Sequence, residues 1–243
     1  MYKLLSRIEF YAALLQGKGF GSSTVKEEVA RLNKYVSNPN LVIDIGGNIG
    51  NYTNEILSKY PNANVHIFEP AKVNFEKLTT RFISNKNVKI NNAAVSKENG
   101  EGNLFSDVIG SGLASLTQRK LDHFGLEHDI IEKIKIIKFE DYWKSELSNS
   151  QIDIVKIDVE GHELDVLNGF GEALGKTKLI QFEFGGCNLD THTTFQEFYY
   201  YFNSRNFEIL RITPFGLQTI KEYNEIDEFY LTTNFICINK NLL

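Results

Sequence analysis

The chain has 243 residues, of which 42% are hydrophobic and 23% are charged, and its formal net charge is −5. A chain of this length buries a core without disulfides or structural metals, and its acidic balance argues against a large nucleic-acid surface. The two cysteines, Cys187 and Cys237, form no disulfide framework, so we expect reduced thiols in a cytoplasmic protein. We expect no signal peptide and no membrane span, because Glu9 interrupts the first apolar pattern and no run approaches ~20 apolar residues.

Two helices are predicted before the main part of the chain. Leu4–Leu15 has apolar residues near helical spacing and ends at a pair of glycines, and Ser22–Val36 ends before Pro39. We expect residues 1–39 to be a helical extension that caps the edge of a sheet. Covering the active site or a partner subunit are the alternatives.

From residue 40 onward, predicted strands and helices alternate. Repeated alternation implies right-handed crossovers, so residues 40–243 are predicted to form one doubly wound, Rossmann-like α/β unit. The predicted strands are Leu41–Ile45, Val65–Phe68, Val88–Ala94, Ile134–Phe139, Ile152–Ile157, Leu179–Phe184, Phe207–Thr213 and Phe229–Ile238. The predicted helices are Tyr52–Tyr60, Val73–Phe82, Asp141–Leu147, His162–Leu174 and Thr194–Phe202.

Three segments are expected to depart from parallel alternation. Residues 96–112 are rich in small polar residues and predict a loop or a hairpin, and Ile134–Phe139 alternates like an edge strand. The last two strands are expected to form a closing antiparallel pair. The aromatic residues of the Thr194–Phe202 helix are assigned to the core rather than to a sugar-stacking platform.

A glycine-rich turn, residues 44–50, follows the first predicted strand. Ile45 stands where the dinucleotide pattern G-x-G-x-x-G has its first glycine, and no phosphate-binding lysine of a P-loop follows. The turn instead fits D-x-G-x-(G/N)-x-G. The residues that carry this pattern are Asp44, Gly46, Asn48 and Gly50.

An acid ends the second predicted strand. Glu69 stands where a carboxylate can accept hydrogen bonds from both ribose hydroxyls of a nucleoside. The alternative is that Glu69 is an ordinary surface acid at a strand end. Together with the glycine-rich turn, a ribose-binding Glu69 predicts a nucleoside-bearing cofactor, and S-adenosylmethionine is the natural candidate. Asn92 and Ala93 lie near the end of the third predicted strand and either face an adenine ring or pack tightly at the strand end.

A charged cluster ends a later predicted strand. Strand alternation places Lys156, Asp158 and Glu160 on one side. In one interpretation Asp158, or else Glu160, is a general base whose charge Lys156 tunes. In another, Asp158, Glu160 or His162 joins Glu183 in binding a divalent cation. A structural ion-pair network that fixes the turn is the third.

Polar residues after the fifth core strand are candidates for acceptor binding. Asn188, Asp190, His192 and Thr194 offer donors and acceptors that suit a polyhydroxyl ligand. Of these, Asn188 and His192 are predicted to contact the acceptor, together with Glu183 at the end of that strand. Capping of the next helix is the competing explanation, and Thr194 fits that role. The histidines show no spacing typical of a metal site.

The chain resembles the FkbM family of S-adenosylmethionine-dependent methyltransferases. The resemblance spans residues 40–239 and is carried by segments 44–50, 68–70, 92–95, 156–163 and 182–186, of which 156–163 is the most selective. It implies a seven-stranded methyltransferase sheet, with Asp158 and Glu160 lining the reaction site. The cofactor-binding residues predicted from turn, strand ends and resemblance are Asp44, Gly46, Gly47, Asn48, Gly50, Glu69, Pro70, Asn92 and Ala93.

The resemblance further implies O-methylation of a hydroxyl. A sugar or glycan precursor of a bacterial surface polysaccharide is the leading acceptor, and a homo-oligomer is an option. The alternatives are a methyltransferase of a small-molecule natural product, a cofactor-binding module without catalysis, and a nicotinamide oxidoreductase.

Overall fold

The computed structural model describes residues 1–21 and 25–243, in which helices and strands alternate as predicted. The helices are α1 (Tyr2–Leu15), α2 (Val25–Leu32), α3 (Asn51–Lys59), α4 (Lys72–Arg81), α5 (Phe139–Glu146), α6 (Glu163–Asn168), α7 (Cys187–Asp190) and α8 (Phe195–Asn203). The strands are β1 (Leu41–Ile45), β2 (Asn64–Phe68), β3 (Val88–Asn91), β4 (Ala94–Ser96), β5 (Gly100–Ser106), β6 (Ile130–Lys138), β7 (Ile152–Ile157), β8 (Thr177–Phe184), β9 (Phe207–Thr213), β10 (Gly216–Thr219) and β11 (Thr233–Asn239).

The main sheet has the order β10-β9-β11-β8-β7-β1-β2-β3. Strand β1 pairs in parallel with both β2 and β7, so the strand order reverses beside β1 and a crevice opens at the carboxyl ends of these strands. Strand β11 is antiparallel to β8 and to β9, which confirms the predicted closing pair. Within the described residues the sheet has eight strands rather than seven, because Gly216 begins a strand that returns along β9.

A second, three-stranded sheet has the order β4-β6-β5. The single predicted strand 88–94 is wrong: β3 belongs to the main sheet and β4 to the small one. Asn92 marks the break, since its side-chain amide donates to the backbone carbonyls of Glu69 and Pro70, each at 2.9 Å. The predicted edge strand at 134–139 is the central strand β6, since residues 100–106 form β5 beside it.

The two faces of the main sheet are covered by separate apolar clusters. Every residue of β1 is buried, as expected for a parallel strand with helices on both sides. Ile43 and Ile45 belong to one cluster and Val42 to the other, in the alternation of an extended strand. The predicted core role of helix α8 is confirmed, because Phe198 and Phe202 are buried and stack on Phe182 of β8.

Of the two N-terminal helices, α2 packs on the fold, whereas α1 is exposed along most of its length. Helix α2 is shorter than predicted at its end, and the predicted start at Ser22 lies outside the described residues. Glu28 of α2 is buried and accepts hydrogen bonds from the amides of Gln181 and Asn234, so α2 reaches over β8 and β11. Among the described residues, no helix is both long and apolar enough to span a bilayer.

Candidate active site

The glycine-rich turn lies at the carboxyl end of β1. Gly46 (φ +82°) and Gly50 (φ +84°) are both in the left-handed region, as is Asn48 (φ +46°). A Cβ on Gly46 would lie 1.8 Å from the carbonyl oxygen of Asp158, and a Cβ on Gly50 would lie 2.6 Å from the Phe82 ring. The turn therefore requires glycine for its own packing.

Glu69 ties the end of β2 to this turn. Its Oε2 accepts the backbone N–H of Asn48 at 2.8 Å, and its Oε1 accepts that of Ala71 at 2.9 Å. Burial outweighs these two bonds and raises the pKa of the Glu69 carboxyl to about 7. Glu69 is therefore fixed by the main chain, and the alternative of a free surface acid is wrong.

A first cavity opens between this turn and the small sheet. Its apolar wall includes Phe68, Ala94 and Leu104, while Glu69 and Asp158 supply carboxyl groups. Of the predicted cofactor residues, those that line it are Gly46, Asn48, Glu69, Pro70 and Ala93.

The other predicted cofactor residues lie elsewhere. Asp44 is buried, accepts the Thr53 hydroxyl at 2.6 Å and lines a second cavity together with Gly47. Burial raises the pKa of Asp44 to about 6. Gly50 lines neither cavity, and the Asn92 amide is engaged by the backbone at the end of β2.

The second cavity lies on the other side of the turn. Lys156 lines this cavity and Glu160 lines the first, while Asp158 lines both. The prediction that all three side chains lie on one side is wrong, because β7 ends at Ile157 and Glu160 takes a left-handed conformation (φ +54°).

Lys156 is a buried ammonium among acids. Its Nζ lies 3.3 Å from Asp158 Oδ2 and donates to Asn234 Oδ1 at 3.3 Å. Burial lowers the pKa of Lys156, but the carboxylates of Asp158 and Glu28 outweigh it and leave the pKa above its ordinary value. Lys156 therefore stays charged and holds the Asp158 carboxylate in place.

Arg119 is a site residue that sequence reasoning missed. It lies in the long connection between β5 and β6, where no motif marks it. Its guanidinium lies 2.5 Å from Glu160 Oε2 and 3.3 Å from Asp190 Oδ2. Burial, with repulsion from Asp158, still raises the pKa of Glu160 to about 8.

Glu160→Gln is expected to make stability less sensitive to pH. Because the folded-state pKa of Glu160 is about 8 and the ordinary value is 4.5, the folded state holds an extra proton between these values, and its stability falls as pH rises through them. The variant should gain stability relative to the parent by up to about 1.4 kcal/mol per pH unit in that window. Urea unfolding of both proteins at pH 5.5 and pH 8 measures this, and an equal difference at both values would refute it.

The predicted acceptor residues are not brought together. Glu183 lines the second cavity. Asn188 is buried, accepts the Gly185 N–H at 2.8 Å and donates to Glu163, while His192 is exposed; the structure places neither in a cavity wall. The capping alternative is confirmed at Thr194, which forms a reciprocal capping box at the start of α8.

Three carboxylates meet at the junction of the cavities. Asp158, Glu160 and Glu183 each offer an oxygen within 4.8 Å of the others. A divalent cation bound there would compete with Lys156 for Asp158 and with Arg119 for Glu160. Burial raises the pKa of Glu183 well above its ordinary range, with Asp158 adding to this.

One family of known proteins matches most of the site. The pattern of the methyltransferase FkbM domain matches residues 44–209, a segment that begins at Asp44 and contains both the glycine-rich turn and the acid cluster. The chain belongs to the FkbM methyltransferase family. The family assignment made from the sequence motifs is thus confirmed.

Two curated relatives of this FkbM-family protein are also methyltransferases by name. Methyltransferase 1 of Beauveria bassiana (strain ARSEF 2860) is 22% identical over 145 residues, which cover 54% of this chain and 58% of the relative. Methyltransferase sdnD of Sordaria araneosa is 30% identical over 161 residues, which cover 56% of this chain and 62% of the relative. The chain thus spans about three fifths of the length of these relatives.

Solved structures show the same fold. A candidate methyltransferase from Streptococcus mutans in complex with SAH matches with a TM-score of 0.51 at 9% identity, over 89% of this chain and 98% of that one. A candidate O-methyltransferase from Klebsiella pneumoniae also matches with a TM-score of 0.51 at 8% identity, over 90% of this chain and 80% of that one. The predicted Rossmann-like methyltransferase fold is confirmed.

The first cavity suits the cofactor of this fold. Its apolar wall matches an adenine ring, and Glu69 at the end of β2 matches ribose hydroxyls. The residues that would hold S-adenosylmethionine are therefore Gly46, Asn48, Glu69, Pro70 and Ala93.

Glu69→Ala is expected to weaken cofactor binding by about 10- to 100-fold, because hydrogen bonds to a charged group contribute about 1.5–3 kcal/mol. Affinity of the parent protein should also fall as pH drops below about 7, where Glu69 becomes protonated. Calorimetry with S-adenosylhomocysteine measures both effects. Glu76→Ala, on the exposed face of α4, is the matched control, and equal affinities of the two variants would contradict the assignment.

Proposed function

We propose that this protein transfers a methyl group from S-adenosylmethionine to a hydroxyl of a sugar or glycan. The observation that carries the proposal is the position of Asp158, which lines both cavities. A cofactor in the first cavity and an acceptor in the second would face each other across this carboxylate.

The first cavity takes the cofactor, which when bound supplies a methyl group activated on a sulfonium sulfur. The apolar wall and Glu69 would hold its nucleoside end. Holding the reacting atoms in line is the larger part of catalysis, since this methyl group needs little chemical activation.

The second cavity takes the acceptor. Carboxyl groups line it at Glu28, Asp44, Asp158 and Glu183, and Lys156 is the only ammonium among the lining residues that the structure describes. Carboxylates and amides are good partners for sugar hydroxyls. A nucleoside diphosphate sugar would meet repulsion, so an uncharged sugar or glycan fits better than an activated one.

Asp158 receives the hydroxyl proton. With the cofactor bound as methyl donor, a carboxylate oxygen of Asp158 would accept the proton that the acceptor hydroxyl loses when its oxygen is methylated. Lys156 orients this carboxylate from 3.3 Å. Burial raises the pKa of Glu160 to about 8, so Glu160 is mostly protonated at neutral pH and Asp158 is better suited than Glu160 to be the base.

The test is an assay with methyl-labelled cofactor and a panel of acceptors. Neutral mono- and oligosaccharides are expected to become labelled, and nucleotide sugars at least tenfold less so. Labelling confined to nucleotide sugars, or to non-sugar alcohols, would refute the acceptor class. No labelling of any hydroxyl compound, with cofactor binding intact, would refute O-methylation. A place in surface polysaccharide biosynthesis stays a prediction from the family resemblance.

A further inference from the structure

Helix α1 carries an apolar seam on its exposed side. The seam residues are spaced alternately three and four apart, which is the a/d pattern of a helix that packs along another helix. All five are exposed, from 55% for Leu15 to 89% for Met1. The seam consists of Met1, Leu4, Ile8, Tyr11 and Leu15.

The C-terminal end of α1 lies against the body of the protein on the side opposite the seam. Of the residues of α1, all of which the structure describes, Ala13 alone is buried. Ser6 lies on the same side as Ala13, seven residues earlier, so the seam points away from the body. Leu5 flanks the seam and is also exposed, which widens the apolar surface.

The end of α1 is anchored to the fold. Lys18 follows the helix, and its Nζ donates to the carbonyl of Ile226 at 2.6 Å. A Cβ on Gly17 would lie 2.4 Å from the carbonyl of Ile212, so the chain here runs directly against β9. The direction of α1 is therefore fixed by the fold, and the seam is presented as a defined surface.

We propose that α1 pairs with α1 of a second copy of this chain, seam against seam, to form a two-fold dimer. A seam of a/d residues is complementary to a copy of itself, which is the requirement of a two-fold interface. The six apolar side chains expose on the order of 700 Å², close to the roughly 800 Å² per partner of a stable interface. Because two heptads make a short seam, we expect the dimer to dissociate on dilution.

The charge of the helix argues against a membrane as the occupant. Helices that lie on membranes carry several Lys or Arg residues on their polar face. Between Tyr2 and Leu15 there are only Lys3 and Arg7, with Glu9 opposing them, and the whole chain has a net charge of −5. Membrane binding is therefore an outcome that the test must distinguish.

Sedimentation of the full chain between about 1 and 100 µM tests the proposal. We expect the mass to rise toward twice 27.8 kDa with concentration, and Ile8→Glu to remain monomeric. Ile83→Glu is the matched control, since Ile83 is an even more exposed isoleucine (80%, against 56% for Ile8) away from the seam, and it should behave as the parent. A parent that is monomeric throughout, or an Ile8→Glu variant that still dimerises, would overturn the proposal.

Cross-linking places the contact. Both native cysteines are buried, so Ile8→Cys introduces an accessible thiol near the middle of the seam. A short bismaleimide should convert this variant to covalent dimers and leave Ser6→Cys, on the opposite side of the helix, largely monomeric. Equal cross-linking of the two variants would refute pairing through the seam. Co-flotation of a monomeric parent with anionic vesicles would assign the seam to a membrane instead.

Discussion

Replacement of Asp158 by Asn is expected to lower turnover by about 10²- to 10⁴-fold, the usual contribution of a positioned general base. Asparagine keeps the shape of the side chain but cannot take the proton of an acceptor hydroxyl at neutral pH. Cofactor affinity should change little, since Glu69 rather than Asp158 is placed to hold the nucleoside. Single-turnover rates and calorimetry with S-adenosylhomocysteine separate the two quantities.

The control for this variant is Asp122→Asn, which changes an exposed carboxylate outside both cavities. It should leave the rate and the affinity at the parent's values. A rate for Asp158→Asn within a factor of about three of the parent would remove Asp158 from proton transfer. In that case Glu160 would be the next residue to test, because its raised pKa still permits ionisation near pH 8.

Replacement of Gly46 by Ala is expected to lower the free energy of unfolding by about 3 kcal/mol or more. The left-handed conformation costs an alanine about 1 kcal/mol, and the new methyl group would overlap the carbonyl oxygen of Asp158 at 1.8 Å. Both colliding groups are fixed by the main chain: the Asp158 N–H donates to Ile45 and the Gly46 N–H donates to Phe68. Neither group can move without breaking a bond of the sheet edge.

Urea unfolding measures the loss, and Gly100→Ala is the matched control. A Cβ at Gly100 meets nothing within 4 Å, and Gly100 has no left-handed conformation. The free energy of unfolding of Gly100→Ala should stay within about 0.5–1 kcal/mol of the parent's value. An unchanged unfolding midpoint for Gly46→Ala would mean that the contact between the cofactor turn and the Asp158 loop yields easily.

Much of the fold could be predicted from the sequence, because the strands are apolar and are separated by clear turns. Strands β1 and β7 begin and end where predicted, since each is buried on both faces and leads into a turn with glycine. The break between β3 and β4 could not be predicted, because it depends on an amide bond from Asn92 to a distant loop. A local pattern holds no information on such a partner.

The motifs of the site could be predicted from the sequence, but the cavity that each side chain lines could not. Glu69 and Asp158 each follow a predicted strand, and the structure brings both to the wall of the first cavity. The prediction that Lys156, Asp158 and Glu160 lie on one side was wrong, because the left-handed conformation of Glu160 ends the strand alternation of β7. Arg119 was missed because it comes from a connection without a pattern and meets Glu160 only through the fold.

The two main-chain bonds to Glu69 also bear on how quickly ligand is captured. Since both carboxylate oxygens are positioned before any nucleoside arrives, no loop around them has to be ordered during the encounter. Association should then be a single step, without a slower phase in which a loop becomes ordered. Analogues that differ in their ribose contacts should then differ in their dissociation rate constants and not in their association rate constants.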